Sequence, residues 1–149
     1  IEAAGEQVLF TFDTNSYSDG WIPDSNIVWN DHYAPTGSTF EVTGSAPELG
    51  DWTTGVVATD VAGIYTVVVT IATPGSYLYK WRANGNWDDF VFGSNGASGG
   101  IGDDLDFETT SPDELVKFEF DPAVGRVRVL VGIVSVESSS WGRIKALGQ

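Results

Sequence analysis

Short runs of alternating or β-branched apolar residues, each ended by a turn signal, constrain this sequence most. Residues 63–72 are β-branched almost throughout, and a turn at 73–75 leads into a returning run at 76–83. Apolar and polar residues alternate at 115–121, and this segment is followed by a turn and a last run at 126–136. Such runs predict β-strands with one set of side chains on each face, and the last two predict a hairpin.

The rest of the chain contains weaker strand patterns and long polar stretches. Residues 7–12 and 39–43 predict two more strands. Residues 13–38 form one long stretch without a strand pattern, which predicts a functional or partly structured loop, and residues 86–106 also predict loops. Serines at 138–140 are helix N-cap candidates before a short tail that includes Trp141. We therefore expect an all-β protein, an Ig-like antiparallel β-sandwich of about seven to eight strands with a short C-terminal helical turn.

Residue types that are absent exclude several kinds of site. The 149 residues include no Cys, so there can be no disulfide, thiolate zinc site or thiol nucleophile. There is also no Met, so Ile1 is interpreted as a processed N-terminus. Removal of a secretory signal is the simplest explanation, with protease trimming as the alternative. We expect an extracellular or cell-surface protein.

The charge of the chain restricts its partners. Seven cationic residues stand against 21 acidic ones, and the net charge is −14. Such a surface repels phosphate backbones, so nucleic acid is not expected as a partner, whereas neutral sugars and divalent cations remain acceptable. No apolar run approaches the length of about 18 residues that a membrane span needs, so none is expected.

The sequence offers little material for catalysis. His32 is the only histidine, which leaves almost nothing for a zinc cluster or a Ser-His-Asp triad. The carboxylates could supply a glycosidase pair, but such a pair needs a deep cleft that small sandwiches rarely have. We expect no enzymatic activity.

Six tryptophans are more than the core of a small domain needs. Trp81 lies among alternating aromatic residues and is predicted to be in the core. Trp21 and Trp29 lie in the long N-terminal stretch, where packing is favoured over a second site. Trp52 and Trp87 follow turn residues, of which Asn84-Gly85 before Trp87 predicts a tight turn. Ligand contact is as well supported for these two tryptophans as packing, because indole rings stack on the apolar faces of sugars.

Four segments in order carry a resemblance to a known family. They are PELGDW at 47–52, YTVVV at 65–69, PGSYLYK at 74–80 and NGNW at 84–87. Together they resemble the starch- and glycogen-binding modules, which are small β-sandwiches attached to glucoamylases, pullulanases and related enzymes and found in glycogen-sensing kinase subunits. The resemblance covers roughly residues 39–131 and depends on the order and spacing of the segments.

The resemblance implies a non-catalytic domain that binds an α-glucan. It implies that Trp52 and Trp87 stack on two glucose units, that Lys80 bonds a hydroxyl, and that Asn95 adds a contact. Alternation within 76–83 agrees for Lys80, because it places this residue opposite the aromatic side chains of that run. The stretch after Trp87 is longer than the family pattern, which leaves the outer edge of the site open.

We accordingly divide the chain into three parts. Residues 1–38 are an N-terminal strand and long-loop extension, 39–136 are the core that is similar to glycan-binding sandwiches, and 137–149 are a helical tail. The tail resembles the C-terminal ends of secreted bacterial proteins.

A cluster of acidic residues suggests a cation. Asp103, Asp104 and Asp106 lie in a Gly-flanked stretch, and calcium favours oxygen ligands from flexible loops. Their spacing does not match a full calcium loop, so solvated acids are the favoured interpretation, and no cofactor is expected.

An alternative function is self-assembly. Residues 127–136 are a long hydrophobic final strand, and residues 7–12 are a short strand near the other end. A terminal strand of one copy can complete the sheet edge of another. The alternative is therefore an extracellular filament or surface-layer subunit whose partners are other copies of the same chain.

Overall fold

The computed structural model describes residues 9–12, 21–22, 27–30, 34, 37–94, 96–98 and 103–134, with the backbone alone at 9–12, 22, 27–30 and 97–98. The strands are β1 (Leu9–Phe12), β2 (Trp21–Ile22), β3 (Ile27–Asn30), β4 (Phe40–Gly44), β5 (Val56–Val57), β6 (Thr59–Val61), β7 (Ile64–Ile71), β8 (Gly75–Ala83), β9 (Asn86–Gly93), β10 (Gly96–Ser98), β11 (Leu105–Thr109), β12 (Glu114–Asp121) and β13 (Arg126–Val131). In these ranges the helical structure is one 3₁₀ turn at Pro47–Leu49. No helix in the described part of the chain has the length and apolar character to cross a membrane.

Two antiparallel sheets form the sandwich. The first sheet has the order β10-β9-β8-β4-β5, with β11 also paired to β8, and the second has the order β2-β13-β12-β7-β6. Strands β1 and β3 form a separate two-stranded sheet. Within the described ranges the two sheets contain eleven strands, more than the seven to eight predicted, and seven of them have five or more residues. The all-β sandwich is confirmed, while the predicted helical tail lies outside the described residues.

Aromatic rings from the two sheets make the core between them. Tyr79 and Trp81 of β8 are fully buried and pack against Phe118 and Phe120 of β12, with ring centroids 4.9 Å and 5.5 Å apart. Burial, with a smaller contribution from the Asp106 carboxylate, raises the pKa of Tyr79. The core position predicted for Trp81 is confirmed, and the inner face of β8 is thereby assigned.

The turn at 73–75 connects the two sheets and does not make a hairpin. Strand β7 pairs with β12 and β6, whereas β8 pairs with β4, β9 and β11. The strand predicted at 76–83 is present, and it returns in the other sheet without pairing with 63–72. The apolar faces of β7 and β8 both contribute to the same core cluster, through Val67 and Ile71 on one side and Tyr79 and Trp81 on the other. Because the two strands belong to different sheets, their apolar faces bury each other across the core.

The loops predicted at 86–106 are largely strands. Asn84 and Gly85 have φ angles of 55° and 66°, which is the mirror-image turn that joins hairpin strands directly, and Ala83 pairs with Asn86 across it. The tight turn that Asn84-Gly85 predicted is confirmed. Strand β9 starts at once and buries Phe90 and Phe92. Its first half is polar, and this concealed the strand pattern.

The N-terminal third contributes to the sandwich. The long loop predicted at 13–38 contains β2 and β3, and β2 joins the second sheet beside β13. Strand β13 ends at Val131, short of the predicted residue 136, and lies between β12 and β2. The self-assembly alternative stays a prediction, because residues 1–8 and 135–149 are outside the described ranges, as are His32 and Trp141.

Candidate functional site

Trp52 is presented by a left-handed turn after the 3₁₀ turn. Gly50, Asp51 and Trp52 have successive φ angles of 83°, 47° and 63°. The Trp52 amide donates to the carbonyl of Gly44 at 3.1 Å, which attaches the turn to the end of β4. A left-handed conformation costs a residue other than glycine roughly 1–2 kcal/mol. The chain therefore holds Trp52 in place at the expense of backbone strain.

Trp87 is presented by the hairpin between β8 and β9. It is the second residue of β9 and follows the Asn84-Gly85 turn closely. The Asn86 side chain accepts a hydrogen bond from the Asp88 amide at 2.8 Å, which reinforces the backbone on both sides of Trp87. The tryptophan is thus on a strand, and not in a loop as the sequence suggested.

The two indole rings lie next to each other. Their centroids are 6.2 Å apart and their planes are inclined at 43°. Both Trp52 and Trp87 are partly exposed, and neither belongs to the hydrophobic core cluster. Residues 35 positions apart in the chain therefore form one aromatic surface, which we call the indole pair, on the outside of the first sheet.

Two cations of β8 lie on the sheet side of the indole pair. Lys80 and Arg82 project from the outer face of the strand, since Tyr79 and Trp81 occupy the inner face, yet each is only 3% exposed. The Lys80 Nζ atom is 5.9 Å from the Trp52 ring centroid, and the Arg82 Cζ atom is 4.7 Å from that of Trp87. A cation over an aromatic face is attracted by the ring quadrupole.

Each cation also has a carboxylate partner. Lys80 forms an ion pair with Asp104 at 2.8 Å, and Arg82 donates through Nε to Glu41 of β4. Glu41 and Arg82 are register partners in the β4–β8 ladder. Paired in this way, the charges avoid the cost of burying an isolated ion.

Of the residues predicted to bind glycan, the structure brings together Trp52, Lys80 and Trp87. Asn95 lies outside the described residues. Lys80 is not a solvated strand cation, because it is covered and bound to Asp104.

The calcium candidates do not converge. No group of three or more His, Cys, Asp or Glu side chains that could hold a metal occurs within the described ranges. Asp104 is bound to Lys80 instead, and Asp106 faces Leu78 in the β11–β8 ladder.

Sequence reasoning missed Arg82 and Glu41. A signal for Arg82 was present, because it lies two residues after Lys80 and must share the outer face of the strand. Glu41 had no such signal, since it reaches Arg82 through pairing between strands about 40 residues apart.

A second tryptophan contacts arginine on the second sheet. Trp21 has a relative exposure of 9%, with Arg128 Cζ 4.5 Å and Arg126 Cζ 5.4 Å from its ring centroid. Arg128 also donates to Glu119 at 2.7 Å. Trp21 is buried, as the packing interpretation predicted, whereas the side chain of Trp29 is outside the description.

No protein-family model, curated protein or solved structure matches this chain significantly. The resemblance to starch- and glycogen-binding modules therefore depends on the sequence motifs alone.

Proposed function

We propose that this chain is a non-catalytic carbohydrate-binding domain that recognises an α-glucan of the starch or glycogen type through Trp52 and Trp87. The observation that carries the proposal is the indole pair itself, two partly exposed rings in contact outside the core. Large aromatic side chains that are left accessible to water, and are held there by a strained turn, favour a binding role over packing.

The inclination of the two rings favours a curved ligand. Each indole offers an apolar face to the C–H groups of one sugar and an N–H to a hydroxyl. Successive glucose units of an α-1,4-linked chain are inclined to each other, while those of a β-1,4-linked chain lie in a flat ribbon. Planes that meet at 43° therefore suit the first kind of chain better than the second.

Lys80 takes a supporting role in this proposal. Because its amine is covered and bound to Asp104, it would have to leave both to reach a ligand hydroxyl. We place it beneath Trp52, where its charge holds the ring from the sheet side.

The charges of the molecule favour a neutral ligand. The described ranges contain five of the seven cationic residues, and each of the five contacts a carboxylate or an indole ring. They are Lys80, Arg82, Lys117, Arg126 and Arg128. A phosphate or carboxylate ligand would have to compete for them against a strongly negative surface.

Titration with maltoheptaose, followed by tryptophan fluorescence, tests the proposal. We expect saturable quenching with a Kd between micromolar and millimolar, because few residues touch the ligand. Trp52→Ala and Trp87→Ala should each weaken binding at least about tenfold. Trp21→Phe is the matched control and should bind as the unaltered protein does. Absence of quenching at millimolar sugar, or equal quenching in the Trp52→Ala/Trp87→Ala double variant, would refute the proposed function.

A further inference from the structure

Both sheets contain the same three-residue arrangement on their outer faces. In the first sheet, Arg82 donates through Nε to Glu41 and lies 4.7 Å from the centroid of Trp87. In the second sheet, Arg128 donates through Nε to Glu119 at 2.7 Å and lies 4.5 Å from the centroid of Trp21. The two arrangements differ in exposure, since Trp21 is buried whereas Trp87 is partly exposed and paired with another indole.

Arg82 has one further contact, which joins the two halves of the indole pair. Its Nη2 atom donates to the carbonyl of Thr53 at 3.4 Å, in the residue directly after Trp52. The guanidinium thus touches the turn that carries Trp52 and the ring of Trp87 at once.

We propose that Arg82, held by Glu41, is a positioning residue that fixes the angle between the Trp87 and Trp52 rings and so makes the indole pair selective for curved glucans. The statement about selectivity rests on the proposed function, while the statement about the ring angle does not. An indole near the start of a strand can change its two side-chain torsions, and a planar guanidinium against one face restricts both.

The surroundings of Arg82 make it a rigid support. Arg82 and Glu41 are 3% and 8% exposed, and the β4–β8 ladder sets them directly opposite each other. Electrostatic attraction is stronger where water is excluded, so this pair resists rearrangement more than an exposed pair would. Lys80 lies farther from its ring, since its Nζ atom is 5.9 Å from the Trp52 centroid while the Arg82 Cζ atom is 4.7 Å from that of Trp87.

The position of Arg82 also determines which side of Trp87 a ligand can use. The guanidinium covers the face of the ring that is turned to the sheet. The opposite face is left for a sugar, so the site accepts one layer of glucan stacked from outside. Binding to a preset surface avoids the cost of ordering the rings after contact.

The experiment compares two double variants. Glu41→Gln/Arg82→Gln removes both charges together, so that no unpaired buried ion remains. Glu119→Gln/Arg128→Gln makes the same change beneath Trp21 and is the matched control. The ring angle is followed by the far-ultraviolet circular dichroism couplet of the two indoles, identified as the component lost in Trp52→Leu. Selectivity is followed by the affinity ratio of maltoheptaose to cellohexaose.

We expect the first double variant to lose most of the couplet and to bind maltoheptaose about fivefold more weakly, with a smaller affinity ratio. The control should keep the couplet and the ratio. An unchanged couplet in the first variant would overturn the inference, as would an equal loss in the control.

Two further outcomes are informative. If the unaltered protein binds no glucan, the proposed function fails, but the couplet still decides whether Arg82 sets the ring angle. If the double variant does not fold, Arg82→Lys keeps the charge without the planar fork. A weakened couplet in Arg82→Lys then supports the inference, and a full couplet contradicts it.

Discussion

Trp52 shows how much a single residue is constrained by its place in the backbone. It follows Gly50 and Asp51 in a succession of left-handed φ angles, a region that Gly and Asp enter more readily than a bulky Trp does. The turn persists because Gly44 accepts the Trp52 amide and the ring contacts Trp87. Strain retained at an accessible aromatic residue is typical of functional sites.

Two substitutions at Trp52 distinguish the effect of backbone strain on stability from the effect of losing the ring contacts. Trp52→Gly and Trp52→Ala both remove the indole, but Gly adopts the φ angle of 63° without penalty. We expect Trp52→Gly to be more stable than Trp52→Ala by about 1 kcal/mol in urea denaturation. Both variants should lose maltoheptaose binding. Equal stability of the two would show that the turn is not left-handed in solution.

At the scale of an element, the outer face of the β12–β13 hairpin is organised around Glu119. This carboxylate forms ion pairs with Lys117 of its own strand and Arg128 of β13, and Arg128 lies against Trp21 of β2. Burial raises the pKa of Glu119, but the hydrogen bonds and charges of Lys117 and Arg128 outweigh it, so the pKa lies below its ordinary value. The network therefore connects three strands of the second sheet.

Acid should weaken this network in a defined direction. The folded pKa of Glu119 is depressed, so on acidification the unfolded chain binds a proton at this site first, near its ordinary pKa of about 4.3. The stability contributed by Glu119 is fully present above that pH and is lost as the pH falls through the folded pKa.

We expect Glu119→Gln to be less stable than the unaltered protein at about pH 7, with the difference shrinking towards about pH 3. Denaturant unfolding at both pH values measures it. A difference that stays constant, or grows on acidification, would contradict the assignment.

For the whole molecule, the balance of charge is more consequential than any one ion pair. With a net charge of −14, the acidic side chains repel one another when the folded chain brings them close together. The ion pair between Arg82 and Glu41 is shielded from water and responds little to salt, whereas the exposed acids respond strongly. Added salt should therefore weaken the repulsion among the exposed acids more than it weakens the attraction within the buried ion pair.

Raising NaCl from roughly 0.05 to 0.5 M should stabilise the protein by about 1 kcal/mol, a Tm increase of about 3–5 °C for a chain of this size. The affinity for maltoheptaose should change less than about twofold over that range, because the ligand is uncharged. Thermal melts and fluorescence titrations measure the two effects. A Tm that falls with salt would show that ion pairs dominate, and a strongly salt-dependent affinity would show that binding disturbs the ion pairs of the protein.

What the sequence determined by itself was local. The β-branched run of β7 and the alternation of β8, β12 and β13 predicted strands that the structure contains. These signals depend only on residues that are neighbours in the sequence, so they can be recognised without knowing which strands pair. The Asn84-Gly85 turn and the core position of Trp81 followed from the same short-range chemistry.

The tertiary structure decided everything that depends on which strands pair. It assigned β7 and β8 to different sheets, started β9 inside a polar stretch, and set Glu41 opposite Arg82. The contact between Trp52 and Trp87 has the same origin, since the two rings belong to separate turns that meet only when β4 pairs with β8 and β8 with β9. Pairing between distant strands is selected by burial of the whole core, and no window of neighbouring residues contains that information.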